Sequence, residues 1–206
     1  MHPNPAFRKF KTARNLAFVR ERGFGILSVN GEEGPLMAHV PFNLNEDGSI
    51  VAMHLVRSNP ILGALDTPIK AVIAVNGPDG YISPDWYGME DQVPTWNYVA
   101  VHLRGTLEKR PEDVLPGMLA FQSYAFESRI KGKTPWSPNK MTPEVFEKMQ
   151  RAIVPIRMHV ENVDGTWKLG QNKPPPARMA AASKLKKGFG QELKVLSALM
   201  RRPDLD

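Results

Sequence analysis

Nineteen prolines and sixteen glycines punctuate a chain of 206 residues. Breakers at that density leave little room for long helices, because each proline removes a backbone donor and each glycine loosens a helix interior. The stretches between them are short and apolar. Residues 25–29 (Ile26, Leu27, Val29) read as a strand, and Asn30-Gly31 opens a turn into residues 35–44. Asn45-Glu46-Asp47-Gly48 is a hairpin turn, with residues 50–56 returning as a third strand. Residues 71–75 form a fourth strand that Gly77-Pro78-Asp79-Gly80 breaks, and residues 98–107 a long fifth. Residues 155–163 turn at Asp164-Gly165 into 166–169, which predicts a last hairpin.

Helical patterns lie around and after these strands. Thr12 caps a helix over 12–21 with Leu16, Phe18 and Val19 on its apolar side and Gly23 as its stop. Residues 60–65 are a single short helix, and 111–126 a longer one kinked at Pro116. Thr142-Pro143-Glu144 opens another, running to 152. Pro174-Pro175-Pro176 reads as a stiff linker before a helical stretch over 177–200, interrupted near Gly188 and Gly190. Hairpins first and helices late favour a mainly β (β plus α) barrel with helical decorations over a doubly wound sheet. No Gly-x-Gly-x-x-Gly follows a strand, and no phosphate loop of the Walker type is present.

Composition excludes several chemistries. There are no cysteines, hence no disulfides, thiolate nucleophiles or cysteine-based zinc sites. The five histidines stand far apart, and the carboxylates are scattered over turns and helix faces. The longest strongly apolar run, 71–75, is too short to span a bilayer, and no apolar leader segment follows Met1. A cytoplasmic protein without a membrane partner is therefore expected. From Lys173 onward eight basic residues face three acidic ones, so a nearly neutral body, 1–172, carries a basic C-terminal extension, 173–206. Such a tail suits DNA or another polyanion, and equally a solvated helix face.

Three segments have the residue types for ligand chemistry. In Met53-His54-Leu55-Val56-Arg57-Ser58-Asn59-Pro60 a strand gives way to a helix whose cap is Asn59 and whose first residue is Pro60. Free backbone N–H groups beside an arginine and a hydroxyl suit a phosphate, although a plain strand-to-helix turn has the same pattern. Residues 81–102 hold two of the four tryptophans and three of the four tyrosines. On an extended strand Trp96, Tyr98, Ala100 and His102 face one way, and Asn97, Val99 and Val101 the other. That wall suits a flat heteroaromatic ligand or a dimer core. Lys168, Gln171 and Asn172 end the last strand, where they suit an anion, a carbonyl-rich ring or simply solvent.

These segments resemble the PaiB-type FMN-binding negative transcriptional regulators, relatives of the pyridoxamine-phosphate-oxidase-like split barrels. The matching stretches are Ala38-His39-Val40-Pro41, His54-Leu55-Val56-Arg57-Ser58-Asn59-Pro60, Tyr81-Ile82-Ser83-Pro84-Asp85-Trp86-Tyr87, Val93-Pro94-Thr95-Trp96-Asn97-Tyr98-Val99-Ala100-Val101-His102, and Trp167-Lys168-Leu169-Gly170-Gln171-Asn172. They span roughly residues 1–175, and the Val93 to His102 string is the most specific. The resemblance implies a homodimeric, FMN-binding split β-barrel over 1–172 followed by a helical tail. It implies a phosphate near His39, His54, Arg57, Ser58 and Asn59, and a flavin ring near Trp96, Asn97 and Tyr98. It also brings Lys168, Gln171 and Asn172 in from a second subunit. The chain departs from the family pattern at Asp85 and Gly170, where serine is usual. As function it implies a flavin-dependent sensor or negative transcriptional regulator, with a flavin-dependent oxidoreductase acting on a small aromatic substrate as the alternative.

Overall fold

The structure, a computed structural model, describes residues 1–203. Asp204 and Asp206, which count toward the charge of the tail, lie outside the described residues. In chain order the elements are α1 (Thr12–Arg22), β1 (Phe24–Gly31), β2 (Gly34–Pro41), β3 (Asn43–Leu44), β4 (Ile50–Val56), α2 (Pro60–Gly63) and β5 (Ile69–Ile82). They continue with β6 (Thr95–Lys109), α3 (Leu115–Glu127), α4 (Pro143–Gln150), β7 (Ile153–Lys168), α5 (Pro175–Leu185), β8 (Gly190–Gln191) and α6 (Leu193–Arg201). The strands run in the order β2-β1-β5-β6-β7-β4-β3, with β8 beside β5, and the ladder does not close. This is the mainly β plan with helical additions that the turn pattern predicted.

Two compact units share the chain. One comprises Val19–Ala74 and Leu103–Asn162. Its β1 pairs antiparallel with β2 from Phe24↔Pro41 to Gly31↔Gly34, and its β4 pairs with β7 from Ile50↔His159 to Val56↔Ile153. Leu27, Phe42, Met53, Ile73, Leu103, Ile156 and Met158 fill its core. Strand alternation puts such residues on one face of the pleat, and their burial drives the pairing. Gly105 has to be glycine here, since a Cβ would stand 1.8 Å from the His159 carbonyl oxygen.

The other unit comprises Met1–Phe18, Val75–His102 and the chain from Val163 onward. Trp167 anchors it. Its Nε1 donates to Asn15 Oδ1 at 2.8 Å, its ring lies 5.2 Å from Phe10 and 5.5 Å from Phe18, and the Arg14 guanidinium covers it at 4.4 Å. The tail folds onto this unit rather than trailing from it. α5 and α6 pack through Ala181, Ala182, Leu185, Leu196 and Met200, all buried, and Ser197 Oγ donates to the Ala182 carbonyl.

Four local expectations change. β5 runs through Gly77-Pro78-Asp79-Gly80 without a break. Gly77 and Pro78 are both buried, so the in–out alternation shifts phase there as at a bulge, and a Cβ on Gly77 would stand 2.8 Å from Phe18 and 2.9 Å from Val99. β7 likewise passes through Asp164-Gly165, because Gly165 lies against Asn15 and Asp164 pairs with Arg8 at 3.0 Å. Both glycines serve close approach instead of a turn. Pro116 sits in the first turn of α3, where its missing N–H has no partner to lose, so it starts the helix and does not kink it. Pro175 and Pro176 do the same for α5.

Candidate functional site

The residues expected around a phosphate all fall in the unit of β1 to β4. Asn59 caps α2 as anticipated, its Oδ1 accepting from the Ile61 N–H at 3.0 Å. His39 is exposed on β2 opposite Ile26, while His54, Arg57, Ser58 and Asn59 follow one another from β4 into the start of α2. His54 lies opposite Pro155 on the β4–β7 ladder. Its Nδ1 is buried without a hydrogen-bond partner, and burial pushes its pKa below the ordinary imidazole value. Arg57 is half-exposed and already engaged. Nη2 donates to Glu112 Oε1 at 2.8 Å, and Nε donates to the Arg151 carbonyl at 3.0 Å. The two carbonyl contacts, with Arg151 and more weakly Ile153, hold the guanidinium at the end of β4.

The remaining expected residues belong to the other unit, and the pleat of β6 divides them. Trp96, 44% exposed, and half-buried Tyr98 stand on one face with Ala100. With Asn76, Gly77 and Asp79 of β5 they line an open groove of about 390 Å³. Phe189, between α5 and β8, widens this aromatic surface, stacking on Tyr81 at 5.1 Å and meeting Trp96 edge-on at 5.5 Å. Burial pushes the Tyr98 phenol up.

Asn97 turns the other way and is 1% exposed. Its Nδ2 donates to Met200 Sδ at 3.5 Å, and it lines a cavity of about 250 Å³ with Lys168, Lys173 and Asn172. Gln171 spends its amide on the chain reversal after β7, where Gly170 takes φ +80°. Its Oε1 accepts from the Leu169 N–H and its Nε2 donates to the Trp167 carbonyl. The sequence reading missed His2, Phe7, Tyr87 and Thr95, which also line the cavity. The signal available for that segment was Asn4-Pro5, a cap followed by proline, and Asn4 does cap a short 3₁₀ turn that seats Phe7.

Comparison with known proteins agrees with this architecture. Over 199 residues the chain is 28% identical to the protease synthase and sporulation protein PAI 2 of Bacillus subtilis, covering 95% of each. Among solved structures, an FAD and heme binding protein from Mycobacterium smegmatis superposes with a TM-score of 0.60 at 16% identity, over 90% of this chain and 82% of that one. The flavocytochrome Anf3 from Azotobacter vinelandii gives 0.57 at 12% identity, over 81% and 72%. These structural likenesses show the fold, a split barrel. The family model described as "Putative FMN-binding domain" matches residues 1–162, so the chain belongs to that family, whose cofactor is FMN.

Proposed function

We propose that this chain is a cytoplasmic, homodimeric flavoprotein in which FMN governs a regulatory output. The observation that carries the flavin half is the donor set at the end of β4. His54 keeps a buried, unpartnered ring nitrogen, and Arg57 is held in place by backbone carbonyls while paired to a carboxylate that is 65% exposed. An exposed ion pair of this kind is worth about 0–1 kcal/mol, so a dianionic phosphate can take Glu112's place on the guanidinium. These residues, with His39, Ser58 and Asn59, fit the phosphate of FMN. Trp96 and Tyr98 fit the ring, in this copy or in a second one. Asn97 and Gln171, committed to Met200 and to the reversal, are left out of the flavin set. When bound, the flavin supplies one- or two-electron redox chemistry, and the protein positions and shields it.

Support for a regulatory output comes from the Bacillus subtilis relative, named for protease synthesis and sporulation. Exposed Lys184, Lys186, Lys187 and Lys194 offer a polyanion such as DNA a basic surface. The second reading, a flavin-dependent oxidoreductase, draws on the open groove beside Trp96 and Tyr98, which leaves room for a small aromatic substrate. The visible spectrum and gel-filtration volume of the purified protein test the proposal. A yellow dimer is expected, and a colourless protein that fails to quench FMN fluorescence overturns it. Rapid flavin reduction by NADPH that a small aromatic substrate accelerates would favour the enzyme, while a salt-sensitive DNA shift would favour the regulator.

A further inference from the structure

The cavity behind β6 is short of negative charge. Its walls are His2, Asn4 and Phe7 from the N-terminal segment, Tyr87, Val93, Thr95 and Asn97 before and on β6, and Lys168, Asn172 and Lys173 after β7, with no carboxylate among them. An ammonium drawn partly out of water gains from a counter-charge beside it. Here Lys168 Nζ donates to Thr95 Oγ1 and Lys173 Nζ to Gln92 Oε1, both neutral, and among the described residues neither lysine has an acidic partner. Two rings give partial compensation, with Lys168 6.0 Å from the centre of Phe7 and Lys173 5.3 Å from that of Tyr87. The cations also work against one another. Burial lowers the Lys168 pKa and the charge of Lys173 lowers it further, while His2 is lowered by burial and then by Lys168. An anion placed among them would relieve that repulsion.

The walls that hold the charge are themselves fixed. The His2 N–H donates to Thr166 Oγ1 at 3.2 Å, the His2 ring meets Phe7 edge-on at 4.8 Å, and Phe7 is 3% exposed. At about 250 Å³ the cavity falls below the roughly 300–1,000 Å³ of sites for drug-sized ligands, so a single-ring molecule is the right scale.

We propose that this cavity is a second binding site, for a small organic anion of the single-ring carboxylate class. The carboxylate lies between Lys168 and Lys173, Asn172 supplies an amide donor, and Phe7 and Val93 cover the apolar body. The pleat of β6 keeps this site apart from Trp96 and Tyr98, so the proposal stands independently of where the flavin ring lies.

The experiment titrates benzoate into the full-length, FMN-loaded protein by calorimetry, then repeats it with Lys168→Met and with Lys173→Met. One-to-one binding is expected, weakened about tenfold or more in each variant, as for loss of a charged hydrogen bond, with FMN affinity within about twofold in Lys173→Met. Raising sodium chloride from roughly 50 to 500 mM should weaken benzoate binding as well. Acylation of Lys168 in the unaltered protein, followed by mass spectrometry, should slow when benzoate is present, a readout that needs no variant to fold. Absence of saturable binding, indifference of both variants, or acylation that benzoate leaves unchanged would each overturn the proposal. So would a parallel loss of FMN affinity in Lys173→Met, because the cavity would then belong to the flavin.

Discussion

Arg57 and Lys168 stand at the ends of β4 and β7, and each brings a positive charge to a place where an anion is expected. They are wired differently. Arg57 is half-exposed, locked by the carbonyls of Arg151 and Ile153, and balanced by Glu112. Lys168 is half-buried, donates to the hydroxyl of Thr95, and has a second lysine within electrostatic reach. The first site is neutral until a stronger anion displaces a weak one, so it discriminates by geometry. The second carries uncompensated charge and should take any small anion that fits. A sequence motif rich in cations therefore does not define a site's selectivity; the partners that the fold gives each cation do.

A substitution in each region tests what holds it. The largest expected effect is on the arginine side. Gly105→Ala puts a methyl group 1.8 Å from the His159 carbonyl oxygen in the β6 and β7 backbones. Urea unfolding should show a loss of about 3 kcal/mol or more, the scale of severe overpacking. On the lysine side, Asn15→Ala strips the acceptor from buried Trp167 Nε1. A loss of about 1–3 kcal/mol is expected by the same measurement, the cost of an unsatisfied buried donor.

Smaller changes sharpen the contrast. Glu112→Gln removes the competitor for Arg57 and should tighten FMN binding, by up to about fivefold, given the weakness of exposed pairs. Weaker binding would mean that Glu112 orients the arginine. The smallest effect is one of pH. Burial holds the His54 imidazole below its ordinary 6.5, so the unfolded chain takes up that proton first as pH falls. His54's stabilising contribution is then complete above about pH 6.5 and declines as pH falls from there through its folded-state value. His2 shifts the same way, so the sharper reading is a difference. The slope of Tm against pH below about 6.5 should flatten in His54→Phe; an unchanged slope would contradict the burial account.

Much of this was legible in the residues. Alternation located the strands, and Asn59-Pro60 announced the start of α2. The parity that separates Trp96 and Tyr98 from Asn97 can be read straight from positions 96–98, and the burial pattern of β6 follows it. Glycine was the misleading signal. In Gly77 and Gly165 it marks a place where another side chain presses on the backbone, and only packing distinguishes that from a turn. The lysine cavity was illegible for a related reason. Its walls come from segments near residues 2–7, 87–97 and 168–173, which no local period links.

If the arginine side holds the flavin's phosphate, as proposed, fluorescence titration with FMN and with riboflavin will distinguish the two ligands. The unaltered protein is expected to prefer FMN by about 10- to 100-fold, as charged hydrogen bonds to a phosphate would give, and Arg57→Met should erase most of that preference while riboflavin binding stays the same. Equal affinity for the two flavins, or a preference that survives Arg57→Met, would contradict it.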